Sequence, residues 1–114
     1  DDVRPVLSCL DVFALPSLYI ETFSNAALEA MSMGVPVVLS RIGGADEMIR
    51  DGIEGLLIEP SALDALLPEK LRELATDPMR RRVMGECARQ RVECDFSLER
   101  MVDRYASTIE RLAA

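Results

Sequence analysis

Residues 12–40 read VFALPSLYIETFSNAALEAMSMGVPVVLS. The stretch opens on a short apolar run at 12–15, the pattern of a strand buried on both faces of a parallel sheet. Pro16-Ser17 ends that run, and a loop carrying Glu21 follows. A helix is then expected over about 24–33, with Thr22 or Ser24 as N-cap and Glu29 inside it. Ala26, Ala27 and Ala30 let that helix lie close to a sheet, while Gly34 stops it and Pro36 forbids its continuation. A second apolar strand at 37–39 comes at once. In an open α/β sheet, ligands bind in the crevice at the carboxyl ends of the strands. The Glu21 loop and the helix N-terminus fall there, and a carboxylate pair in that place points to a ligand rich in hydroxyls.

Downstream, Gly43-Gly44 reads as a tight turn that permits positive φ. A short helix at 45–50, a turn at Asp51-Gly52 and a third strand at 55–58 closed by Pro60 follow. A helix over 62–75 contains Pro68, where a disturbance is expected. Asp77-Pro78 supplies an N-cap and a first-position proline for a helix to about residue 94. Its apolar positions form two rows: Met79, Val83 and Cys87, and Met84, Ala88 and Val92. After Ser97 a last helix carries Leu98, Met101, Val102, Tyr105, Ile109 and Leu112 in one stripe. Residues 1–10 read as the tail of a helix or a connector. Short strands alternating with helices are the α/β pattern. With about three strands flanked by helices, the sheet reads as the second half of a doubly wound, Rossmann-like parallel sheet.

The 114 residues are 49% hydrophobic but only 4% aromatic, so the core is built of Leu, Val, Ile, Met and Ala. The net charge of −7 disfavours a general nucleic-acid surface, which needs clustered Lys and Arg. A phosphate would have to be held by local features such as a helix N-terminus. The chain has no histidine, which removes the commonest general base and metal ligand. Cys9, Cys87 and Cys94 offer no metal cluster; Cys87 and Cys94 stand two helical turns, about 10 Å, apart, too far for a disulfide. All three are expected to be reduced and mostly buried. No apolar run approaches the ~20 residues of a membrane span, and no charged-then-apolar leader opens the chain, so a cytoplasmic location is expected.

Five motifs occur in order over residues 11–60: Glu21, then Glu29-Ala30-Met31, Gly34 with Pro36-Val37-Val38, Gly43-Gly44-Ala45-Asp46-Glu47, and Asp51-Gly52-Ile53-Glu54-Gly55 followed by Pro60. Phe96-Ser97 before the last helix adds a sixth match. Together they resemble the retaining group-1 glycosyltransferases of the GT-B fold. Two glutamates with seven residues between them would be a weak signal alone; the ordered set is specific.

The resemblance implies transfer of a sugar from a nucleoside diphosphate sugar, with retention at the anomeric carbon. Glu21 would reach the donor sugar as the catalytic carboxylate. Glu29 would accept hydrogen bonds from the ribose hydroxyls, since an ionised carboxylate offers two acceptor oxygens to a vicinal diol. The backbone N–H groups of Phe23, Ser24 and Asn25 would face the diphosphate. No metal and no cofactor is implied, and the chain has no Asp-x-Asp pair. The family often places Gly where this chain has Ser24. Its diphosphate-neutralising basic residues and its acceptor domain lie upstream of the matched segment. The expected reading of residues 1–114 is therefore a single partial domain, the C-terminal half of a nucleotide-sugar-binding domain, with 97–114 as terminal helix. Its partners would be the donor and the missing N-terminal acceptor domain, with no nucleic acid; a peripheral membrane location is open to the parent. The fragment alone is expected to be inactive and to self-associate through its open sheet edge and bare apolar surface. An epimerase or phosphorylase of the same architecture, or a non-catalytic nucleotide-sugar-binding or interaction domain, is the alternative.

Other features have blander readings. Phe23 suits loop packing as well as ligand contact. Gly43-Gly44 suits a turn as well as a place near the donor. Arg41 reads as solvated rather than phosphate-bound, Glu47 as a first-turn helix acid, and Arg80-Arg81-Arg82 as a solvated helix face.

Overall fold

A computed structural model describes residues 2–19 and 23–113. After a one-turn helix, α1 (Arg4–Leu7), come strand β1 (Phe13–Leu15), helix α2 (Asn25–Ser32), strand β2 (Val37–Ser40), helix α3 (Ala45–Met48) and strand β3 (Gly55–Ile58). A 3₁₀ turn at Pro60–Ala62 leads into α4 (Leu63–Ala75), α5 (Pro78–Asp95) and α6 (Leu98–Ala113). The strands form one parallel sheet in the order β1-β2-β3. Val37 pairs with Phe13 on one side and with Gly55 on the other.

Successive strand side chains point to opposite faces, and both faces are covered. Val37, Leu39 and Leu57 pack with Ala27, Ala30 and Met31 of α2, Met48 of α3 and Ala88 of α5. Val38, Leu56 and Ile58 pack instead with Leu63 and Leu74 of α4 and Met84 of α5. This two-sided burial explains why β2 and β3 are unbroken apolar runs rather than alternating ones. The outer strand β1 is only half-buried, and its Ala14 is exposed.

Local chemistry sets the helix ends. Ser24 caps α2, its Oγ accepting the Ala27 N–H at 3.1 Å. At the other end Gly34, at φ +75°, lets its own N–H reach Met31 O and the Val35 N–H reach Ala30 O, a Schellman closure. Asp77 caps α5 through the Arg80 N–H at 3.0 Å. The α4 helix runs through Pro68 without a break. The carbonyl that the proline leaves unbonded belongs to Asp64, on an exposed turn where solvent can serve it.

Four sequence expectations change. The helix expected over 45–50 stops at Met48, because Ile49 is already extended. Of the two apolar rows on α5, only Met84, Ala88 and Val92 face the core, whereas Met79 and Val83 are exposed. The thiols are not mostly buried: Cys9 and Cys94 are exposed and Cys87 is half-buried, since none faces a sheet surface. Arg81 is not part of a solvated arginine face; its Nη1 donates to Leu74 O at 2.6 Å and Ala75 O at 2.9 Å, closing the C-terminus of α4.

Helix α6 has no buried residue. Its stripe of Leu98, Val102, Tyr105, Ile109 and Leu112 is bare, contributing to a body with extents of 53 × 30 × 28 Å.

Candidate functional site

The carboxyl ends of β1 and β2 meet the start of α2 and the short α3. Leu15, Leu39, Ser24, Ser40 and Met48 close around a cavity of about 10 Å³ there, roughly the space of one water molecule. Ser40 is 3% exposed, and its Oγ has no hydrogen-bond partner among the described residues. Helix α2 opens on the rim of this crevice. The Ala27 N–H is taken by the Ser24 hydroxyl and the Leu28 N–H by the Ser24 carbonyl. The amides of Asn25 and Ala26 are therefore the first-turn donors that no helical carbonyl takes. They carry the positive end of the helix field toward the strand ends.

Of the residues expected to bind substrate, Phe23, Ser24, Asn25 and Glu29 lie at this helix start. Asn25 and Glu29 stand one turn apart on the exposed side of α2. No hydrogen bond or ion pair holds the Glu29 carboxylate among the described residues, so both of its oxygens remain available to a diol. Ser24 is buried as the cap. Its oxygen accepts the Ala27 N–H. Phe23 is half-buried, its ring edge-on to Phe96 at 5.3 Å between centroids and 67° between planes. Glu21, the expected catalytic carboxylate, and Thr22 lie outside the described residues.

The neighbouring motifs are spent on structure. Arg41 is held between the carboxylates of Asp46 and Glu59, the latter at 2.9 Å, and its charge is largely compensated. Gly43 adopts φ +55° and Gly44 is the N-cap of α3, whose first turn carries Asp46 and Glu47. In the turn before β3, Gly52 is at φ +86° and Asp51 Oδ1 accepts the Leu57 N–H at 2.9 Å.

Three features escaped the sequence reading. Glu54 is fully buried, its carboxylate accepting the Arg50 N–H at 2.7 Å and the Arg50 guanidinium. Burial alone would push this carboxyl up, but the hydrogen bonds and charge of Arg50 outweigh it and hold it below the ordinary value. Its only sequence signal is an acid placed directly before an apolar strand. Ser40 is a hydroxyl at the end of an otherwise apolar strand. Arg91, whose only visible signal is Asp95 four residues on, reaches back to α3: its guanidinium donates to Glu47 O at 2.9 Å and Met48 O at 3.4 Å.

The family model described as "Glycosyl transferases group 1" matches residues 1–77. The GDP-mannose-dependent monoacylated alpha-(1-6)-phosphatidylinositol monomannoside mannosyltransferase of Corynebacterium glutamicum is 36% identical over 96% of this chain, which spans 30% of that enzyme. Among solved structures, sucrose-phosphate synthase of Thermosynechococcus elongatus superposes with a TM-score of 0.86 at 30% identity, covering 96% of this chain and 27% of that one. The C-terminal domain of a group 1 glycosyl transferase, LpcC of Francisella tularensis, superposes with a TM-score of 0.75 at 26% identity, covering 85% of this chain and 49% of that domain.

Proposed function

Because this chain belongs to the group 1 glycosyl transferases and has their GT-B fold, we propose that it is the donor-binding part of a retaining glycosyltransferase. The observation that carries this reading is the Glu29 carboxylate: exposed and uncommitted among the described residues, one turn inside a helix whose N-terminus opens on the strand-end crevice. The ligand is a nucleoside diphosphate sugar, the donor class in the name of the corynebacterial relative. Glu29 accepts from the ribose hydroxyls, and charge-assisted bonds of this kind are the stronger ones. The amides at the start of α2, Asn25 among them, lie against the diphosphate, and Ser24 and Phe23 shape the loop beside it. Glu21 reaches the transferred sugar.

The chain spans about 30% of the curated relatives it matches. It corresponds to half of the LpcC C-terminal domain, which supports reading residues 1–114 as the C-terminal half of a donor domain. A helix N-terminus contributes only a fractional positive charge. Departure of a diphosphate needs fuller electrostatic help, so the 114 residues by themselves bind hydroxyls without turning over a donor.

Calorimetric titration of the full-length protein with GDP-mannose and with UDP-glucose tests this. One donor should bind, and Glu29→Ala should weaken it about tenfold or more. Glu21→Ala should retain binding and lose transfer, and product NMR should show the donor's anomeric configuration retained. Binding indifferent to Glu29, or no donor binding at all, would sink the reading.

A further inference from the structure

Two walls enclose the strand-end crevice, one from α3 (Ala45 and Met48) and one from the entry of α2 (Ser24). They belong to different segments, and α3 is only four residues long, too short to hold a position by its own hydrogen bonds. A side chain from α5 connects them. The Arg91 guanidinium donates to Glu47 O at 2.9 Å and Met48 O at 3.4 Å, the carbonyls at the negative end of α3. Nη1 of the same group is held by Asp95 at 2.8 Å, and its Cζ lies over the Phe96 ring, 5.3 Å from the centroid. Phe96 in turn meets the edge of Phe23 at 5.3 Å, and Phe23 directly precedes the Ser24 cap.

We propose that Arg91 is a positioning residue that brackets the crevice, tying the end of α3 through Phe96 and Phe23 to the loop that opens α2. Arg91 touches no ligand in this role. It fixes the spacing between the wall carrying Met48 and the helix start carrying Ser24, Asn25 and Glu29. An arginine suits the task because one group serves two carbonyls and a carboxylate with its N–H donors while its charge lies over an aromatic ring. A lysine has three donors on a single nitrogen and cannot spread them as the guanidinium fork does. The consequence for donor binding rests on the function proposed above; the bracket itself does not.

The test uses the full-length protein with Arg91→Met, Arg91→Lys, Phe96→Leu and Phe96→Tyr. Hydrogen exchange should quicken about threefold or more in the first turn of α2 and in α3 of Arg91→Met and Phe96→Leu, while β2 and β3 keep wild-type rates. Arg91→Lys should behave like Arg91→Met, and Phe96→Tyr should restore wild-type exchange. The double variant Arg91→Met/Phe96→Leu should be no worse than the worse single one, because both break the same link. In titrations with GDP-mannose and UDP-glucose, whichever donor binds should lose about threefold in affinity in parallel. Unchanged exchange at α2, exchange raised equally in β2 and β3, or additive single effects would each overturn the bracket, and altered exchange with wild-type donor affinity would overturn its consequence for the donor. If the wild-type protein binds neither donor, the proposed function falls, and the exchange measurements still decide the bracket.

Discussion

Gly85 of α5 lies against the carbonyl of Gly34, so close that a Cβ on Gly85 would stand 2.0 Å from the Gly34 oxygen and 3.0 Å from its carbon. Both obstacles are backbone, so no rotamer change relieves them. Gly85→Ala must lift α5 from the α2–β2 turn, at a cost of about 3 kcal/mol or more. Gly34→Ala has room, its nearest contact being at 3.9 Å, and pays only for φ +75°, about 1–2 kcal/mol. Thermal or denaturant unfolding should therefore rank Gly85→Ala well below Gly34→Ala. The reverse order would show that α5 does not sit as described.

Acid should weaken the fold through Glu54. Its carboxyl in the folded protein lies below the ordinary 4.5, with burial opposing and Arg50 enforcing the ionised form. A depressed folded value stabilises fully above the unfolded value and is lost as pH falls through the folded one. Stability measured by urea unfolding should therefore drop below about pH 4.5, and Glu54→Gln should flatten that limb. At neutral pH, Glu54→Gln should cost about 1–3 kcal/mol. Arg50→Met should cost more, because it leaves a buried carboxylate without its counter-charge.

The cap on α2 predicts an asymmetric pair of substitutions. Ser24→Ala removes the acceptor for Ala27 and should cost about 1 kcal/mol, whereas Ser24→Gly, the residue common in the family at this place, should cost only a few tenths. Melting temperatures of the two variants check this. Equal melting points would mean that the Ser24 hydroxyl is not the cap.

Helix α6 should drive association of the 114-residue chain. Leu98, Val102, Tyr105, Ile109 and Leu112 follow one another at alternating four- and three-residue steps and are exposed, and a bare apolar face of that kind seeks cover. Static light scattering should report oligomers at high concentration. Val102→Asp/Ile109→Asp should return the chain to monomer without altering the sheet. A wild-type monomer would count against the prediction.

Much of the fold was legible because it rests on short-range chemistry. The apolar runs of β2 and β3, the Ser24 and Asp77 caps and the Gly34 stop depend on residues within a few positions of each other. The site was legible in part: Asn25 and Glu29 share a helix face by spacing alone. The burial of Glu54, the span of Arg91 to carbonyls more than forty residues away and the Ser40 hydroxyl, unpartnered among the described residues, were not. Each depends on which surfaces meet across the sheet.

The sequence by itself determined the parallel α/β pattern, the helix ends and the placing of a carboxylate just inside α2, because hydrogen bonding, φ preference and periodicity act locally. Only the tertiary structure decided which row of α5 is buried, which arginines are spent on carbonyls and where Gly85 must have no side chain. Those outcomes arise from contact between segments remote in the chain, where close packing, rather than propensity, selects what fits.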